Sequence, residues 1–509
     1  MDKNRQFAVN TIATALNLVI QFGINFFLTS YLVRTVGSTA FGFWGLANNV
    51  VNYALIITTA LNSMAARYIG IDYHRGNMRQ ASGYFSSVFI ADLLFALIIL
   101  LPSCIAILYI DRLISVPVDL LSDVRTLFYI VFANMCCNVV FAVFGCAFII
   151  KNRLDLSSTI NIISSIMKAA LLVMLYWKFR PSIVYLGTAT LCTSLFVAVS
   201  GVIFTKRITP ELKLHYSYSS FDSVKTIVSS GVWNSLNQLS IVLLQGLDLL
   251  IANLFINATA MGLISVAGMI PGVISTCIFA LANVFTPRFL ELYSLKHYND
   301  LFYELKKSVK LLTVITSIPI SFLVSFGLAF YRLWIPSADV DSIYILSILV
   351  AMPLFSGGIL SSANYLYTVA DKVKWQAIIL LITGVMNVVI VFILLKTTNL
   401  GMYAIVGVSA TIGLIRNIFF NGPLGSHCTN HGYTALWPDM FKSYGCLIGC
   451  IVLCSMINQL VELDSWVKLI VVGGSSSLSM TFLISFVLLS REQRRFLSAT
   501  IVKMVSRKS

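Results

Sequence analysis

The sequence predicts an all-α polytopic membrane protein of about 14 transmembrane helices, arranged as two pseudo-symmetric six-helix lobes plus two C-terminal helices. Three observations predict it. The 509 residues are 58% hydrophobic and only 11% charged, with a mean hydropathy of +0.88, which excludes a water-soluble core. Fourteen apolar runs are each long enough to cross a bilayer at the helical rise. The stretch from Asn10 to Arg67 also returns 220 residues later, the mark of an internal duplication.

The runs fall near 7–33, 41–64, 82–110, 126–150, 157–177, 182–204, 229–255, 258–285, 309–331, 343–369, 375–395, 402–424, 441–460 and 467–489. The first is too long for the apolar core of a signal peptide and reads as a retained span. An even number puts both termini on one side. With the termini inside, the inner segments carry roughly three Lys and Arg for each one outside, so the termini are expected to be cytoplasmic. The net charge of +15 then reports topology and attraction to anionic headgroups rather than nucleic-acid binding. This includes the basic tail of Arg491, Arg494, Arg495, Lys503, Arg507 and Lys508. The repeat divides the chain into lobes 1–204 and 205–424, with 425–509 as two extra spans and the tail. The larger inner loops, 205–228 and 286–310, are expected on the membrane surface.

In the first span Asn10, Thr14, Asn17, Gln21 and Asn25 recur at helical spacing and share one face. Lipid cannot satisfy such a stripe, so it must face protein or water. Its repeat partner in span seven carries Asn234, Asn237, Gln238 and Gln245, and ends at Asp248. At the corner Thr39, Ala40, Gly42 and Ala47 meet Thr259, Ala260, Gly262 and Ala267, and with one inserted residue Arg67 meets Arg288.

Ionisable residues deep in spans are costly and mark function by default. Four qualify: Asp92, Lys168, Asp248 and Arg416. Lys168 sits ~16 Å from either end of its span, on a face with Asn161, Ser164 and Ser165. It reads either as an ion pair, with Asp92 as the candidate partner, or as a cation lining a hydrated, anion-attracting space. Arg416, near Asn417 and Asn421, suits a phosphate through its planar fork, or clamps helices through backbone carbonyls or Asp248. Asp248 reads as a proton- or Na⁺-coupling carboxylate or as a salt bridge. Asp92 is a weaker coupling candidate with few polar neighbours on its face. Arg34, Arg67 and Arg288 at span ends suit lipid phosphates.

Most of the ten cysteines lie in apolar runs, and Cys446, Cys450 and Cys454 alternate with Gly445 and Gly449 as a small-residue helix seam. His427, Cys428 and His431 offer too few ligands for a metal. No GxxxxGK[ST] loop and no Ser/His/Asp arrangement occurs, so neither an ATPase nor a hydrolase is indicated, and no cofactor is implied.

The corner YLVRTVGSTAFGFWGLANNV, with Arg34, Gly37, Phe41 and Gly42, resembles the opening signature of polysaccharide flippases. These belong to the multidrug/oligosaccharidyl-lipid/polysaccharide (MOP) exporter superfamily. Span number, doubled lobes and the Asp in span seven are similar over nearly the whole chain. The resemblance implies no enzyme but a flippase for an undecaprenyl-diphosphate-linked oligosaccharide, such as an O-antigen repeat unit in lipopolysaccharide biosynthesis. It implies a bacterial inner membrane, alternating access, H⁺ or Na⁺ coupling through Asp248 and Asp92, and a polymerase with chain-length machinery as partners. Lys168, Arg416, Asn17, Gln21, Asn25, Asn234, Gln238 and Gln245 would bind the pyrophosphate-sugar headgroup. Drug or cation antiport, lipid II flipping, and a membrane polymerase or acyltransferase stand as alternatives. Span one carries no acid and no outer loop carries a His, against antiporter and enzyme respectively.

Overall fold

The computed structural model describes residues 3–215, 218–370 and 372–488, and the basic tail lies outside them. Among these residues the regular structure is helical, without strands. Thirteen helices are long and apolar enough to cross a membrane. The first, Lys3–His74, breaks at Gly37, where φ is 85° and ψ is 159°, a combination that essentially only glycine adopts without strain. Its two halves counted separately bring the apolar segments to the fourteen expected. The run at 343–369 is interrupted: Val340–Gly357 and Ser361–Val369 are separate helices. Met269–Ala282 passes through a 3₁₀ turn, Asn283–Phe285, into Thr286–Ser294.

The chain forms two compact units, Met1–Ser265 and Val266–Ser509. In the first, the second span is the spine. Lipid tails are as apolar as leucine, so helix association here rests on close packing and interhelical hydrogen bonds. Gly42 and Gly262, equivalent in the repeat, touch: a Cβ on Gly42 would lie 2.6 Å from the Gly262 Cα. Span seven lies against the same spine through Ser235, whose hydroxyl donates to the Ile56 carbonyl at 2.8 Å, and through the Tyr68–Ser230 hydroxyl pair at 2.7 Å. At the inner end Leu61, Ala65, Ile69 and Tyr73, spaced by four, bury one face against Phe85, Val88 and Phe144.

Residues 209–215 and 218–220 strap the end of the third span nearest Asn77. Lys213, His215 and Ser220 donate backbone N–H groups to the hydroxyls of Ser82, Ser86 and Ser87 at 3.2, 3.1 and 2.9 Å. The Tyr73 hydroxyl donates to Glu211 at 2.8 Å. A backbone N–H and this hydroxyl hold the Glu211 carboxyl below the ordinary glutamate range.

In the second unit Tyr298–Trp334 runs against Trp437–Leu460. At its inner end Lys306 and Lys310 share the Asp439 carboxylate at 3.3 and 3.0 Å. Deeper, the Ser325 and Ser455 hydroxyls meet in this seam at 3.0 Å, and Ser317 meets Thr481 of the helix Ser475–Leu488 at 3.1 Å. Cys450 and Cys454 are buried beside it as free thiols. His431 stacks on Phe302 and His427 on Tyr433. No group of three or more metal-ligating side chains occurs among the described residues.

Candidate functional site

The stripe of span one divides by depth. Its inner part is a helix seam. Asn10 is buried, donates to the Asn152 carbonyl and side chain at 3.0 Å each, and accepts the Asp155 N–H at 3.0 Å. Thr14 meets Ser158 at 3.3 Å. Beyond that point the stripe's amides have no side-chain hydrogen bonds among the described residues. Asn17 Oδ1 is buried without a hydrogen-bond partner among the described residues. Gln21 is half-buried and Asn25 exposed. Span seven divides the same way: Asn234 donates to Ser63 at 3.0 Å, whereas Gln238 is half-buried and Gln245 exposed.

The four deep ionisable groups are not paired with one another in any ion pair among the described residues. Asp92 is fully buried, and it takes its hydrogen bond from the Asn62 amide at 2.9 Å rather than from Lys168. Its second oxygen has no partner among the described residues. Lys168 instead presents its ammonium to the face of Trp44, 5.7 Å from the ring centroid, a distance at which the ring quadrupole attracts a cation. Trp44 lies in the repeated corner, so the corner bears directly on the deep lysine.

Asp248 follows a wide helical turn. Val242–Gly246 is π-helical, closed by the Leu247 N–H to the Val242 carbonyl at 3.1 Å. The Gly246 carbonyl accepts two side chains of the second span: Tyr53 Oη at 2.5 Å and Asn49 Nδ2 at 3.0 Å. Both lone pairs of that carbonyl are then used. Asp248 Oδ1 is buried and has no partner among the described residues.

Arg416 precedes a second wide turn, Asn417–Asn421. Asn417 is buried and donates to Ser356 Oγ at 2.9 Å, and Asn421 donates to Asn417 Oδ1 at 2.7 Å. Tyr367 Oη donates to the Asn421 carbonyl at 2.5 Å. Arg416 Nη1 is buried without a partner among the described residues. Wide turns of this kind often sit at functional sites.

Trp44, Asn49, Tyr53, Asn62 and Tyr367 are absent from the sequence-derived set. Asn49 and Tyr53 had a legible signal, since they sit four apart on the second span. Tyr367 had none.

Comparison with known proteins bears on the family and the fold. A family model described as "Polysaccharide biosynthesis protein" matches residues 7–293, more than half of the chain. The chain is 27% identical over 498 residues to "Uncharacterized membrane protein EpsK" of Bacillus subtilis (strain 168), covering 96% of this chain and 97% of that one. Among solved structures, an inward-facing multidrug resistance MATE family transporter of the MOP superfamily superposes with a TM-score of 0.66 at 16% identity. It covers 87% of this chain and 98% of its own. The lipid II flippase MurJ, in an inward closed conformation, gives 0.65 at 14% identity over 95% and 100%. At these identities the likeness establishes the fold. The chain therefore belongs to the polysaccharide biosynthesis protein family, on the all-helical fold it shares with transporters of the MOP superfamily.

Proposed function

We propose that this chain is a flippase for an undecaprenyl-diphosphate-linked oligosaccharide, an O-antigen or similar repeat unit, which it moves to the outer leaflet of a bacterial inner membrane. The family and the fold are those of transporters, not enzymes. The observation that carries the reading is the pair of deep cations, Lys168 and Arg416, which stand without carboxylate partners among the described residues. A structural cation at such depth is ordinarily paired, whereas a diphosphate headgroup brings its own anion. The uncommitted amides of Asn17, Gln21, Asn25, Gln238 and Gln245 supply partners for sugar hydroxyls. Asn234, engaged with Ser63, is a lesser member of this set.

Transport proceeds by alternating access of lobes 1–204 and 205–424, with 425–509 as an appendage and both termini cytoplasmic. Asp248 couples the cycle to H⁺ or Na⁺. Asp92, capped by Asn62, plays a secondary part. A polysaccharide polymerase and its chain-length machinery receive the product. The test is complementation of a flippase-null strain. Wild type restores surface polysaccharide, while Lys168→Ala and Arg416→Ala insert normally and restore none. Full restoration by both variants rejects the cationic site.

A further inference from the structure

The two wide turns share a construction that the charges alone do not reveal. Each is a five-residue π segment, Val242–Gly246 or Asn417–Asn421. In each, the carbonyl of the last residue accepts a tyrosine hydroxyl from a different helix at 2.5 Å: Tyr53 on Gly246 and Tyr367 on Asn421. In each, an ionisable residue at the edge of the segment keeps one buried polar atom without a partner among the described residues, Asp248 Oδ1 and Arg416 Nη1. A π turn holds one residue more than an α turn needs and relaxes unless something outside the helix pins it. A buried tyrosine hydroxyl, in turn, requires an acceptor.

We infer that Tyr53 and Tyr367 are positioning residues: each phenol pins a wide turn open so that the adjacent Asp248 or Arg416 is presented to the transport pathway unpaired. The inference deepens the flippase reading and rests on it for what the two charges meet. Asn49, the second donor on the Gly246 carbonyl, supports the first turn. Asn417, bonded to Ser356, supports the second.

Chemical labelling of the full-length protein in vesicles tests this without measuring transport. A hydrophobic carbodiimide modifies membrane-buried carboxyls and an arginine-selective dione modifies guanidinium groups, both read by mass spectrometry at single residues. Tyr53→Phe is expected to change carbodiimide labelling of Asp248 about fivefold and leave Arg416 untouched. Tyr367→Phe does the reverse, changing dione labelling of Arg416 about fivefold. Tyr344→Phe is the control, because the Tyr344 hydroxyl also donates to a carbonyl, that of Val324 at 2.5 Å, but lies at neither turn. It is expected to move neither rate. Where Tyr53→Phe does not fold, Asn49→Ala replaces it with the same expectation. Wild-type labelling rates in both tyrosine variants, equal changes with Tyr344→Phe, or no Asp248 adduct in the wild-type protein overturn the inference. Transport by Asp248→Asn with an unaltered gradient response would count against the coupling role and leave the labelling result standing.

Discussion

The wide turn before Asp248 and the wide turn after Arg416 serve similar geometry with opposite charge, and they differ in where their support comes from. The Arg416 turn has an internal tie, the Asn421 amide to Asn417, beside its outside support from Ser356, the Pro353 carbonyl and Tyr367. The Asp248 turn borrows its support, since both donors to Gly246 come from the second span, nearly two hundred residues away in sequence. An internal tie holds the turn beside the guanidinium through helix movements. A borrowed one changes whenever the second and seventh spans slide. The first suits a group that binds, and the second suits a group that responds.

The most powerful way to break this comparison is to neutralise each charge. Arg416→Gln is expected to lower polysaccharide assembly about 10- to 100-fold at every ion gradient, because a charge-assisted bond to the headgroup is lost. Asp248→Asn is expected to remove the response to an imposed H⁺ or Na⁺ gradient in proteoliposomes while leaving substrate binding intact. Identical phenotypes for the two variants would erase the distinction between binder and responder.

Stability sharpens the comparison further. Asn417→Ala strands Ser356 and the Asn421 amide in a buried setting and should cost about 2–3 kcal/mol. Asn49→Ala removes one of two donors from a half-buried carbonyl and should cost about 1 kcal/mol. Thermal unfolding in nanodiscs measures both, and equal losses would mean that the borrowed turn is as rigid as the internally tied one.

A smaller contrast comes from two glycines. A Cβ on Gly357 would lie 2.7 Å from Asn417 Nδ2, so Gly357→Ala must displace that amide and is expected to lower stability by about 1 kcal/mol. A Cβ on Gly246 would meet only Val242, at 3.4 Å, an ordinary contact. Gly246→Ala is therefore expected to change stability by no more than about 0.5 kcal/mol. A larger loss at Gly246 than at Gly357 would reverse the assignment of which turn is tightly built.

Much of the molecule was legible in its residues. Fourteen apolar runs and a Gly-containing corner between the first two follow from hydropathy and spacing, since bilayer thickness and helical rise leave few alternatives. The deep charges were legible for the same reason, because a charge in an apolar run stands out. The stripes were legible only in part. Asn10 and Asn25 occupy one helix face and look alike in the chain, yet Asn10 is spent on Asn152 and Asp155 while Asn25 is exposed. Periodicity identifies a face but not its neighbour.

The sequence by itself thus determined the helices, their number and which groups pay to be buried, all of which depend on local composition and the length of a span. Only the tertiary structure decided what those groups meet. It gave Asp92 an amide instead of an ammonium and set Lys168 over Trp44. It also placed a tyrosine at the end of each wide turn. The physical reason is that a hydrogen bond fixes atoms within a few tenths of an ångström, while helix packing brings together residues whose separation along the chain carries no record of that distance.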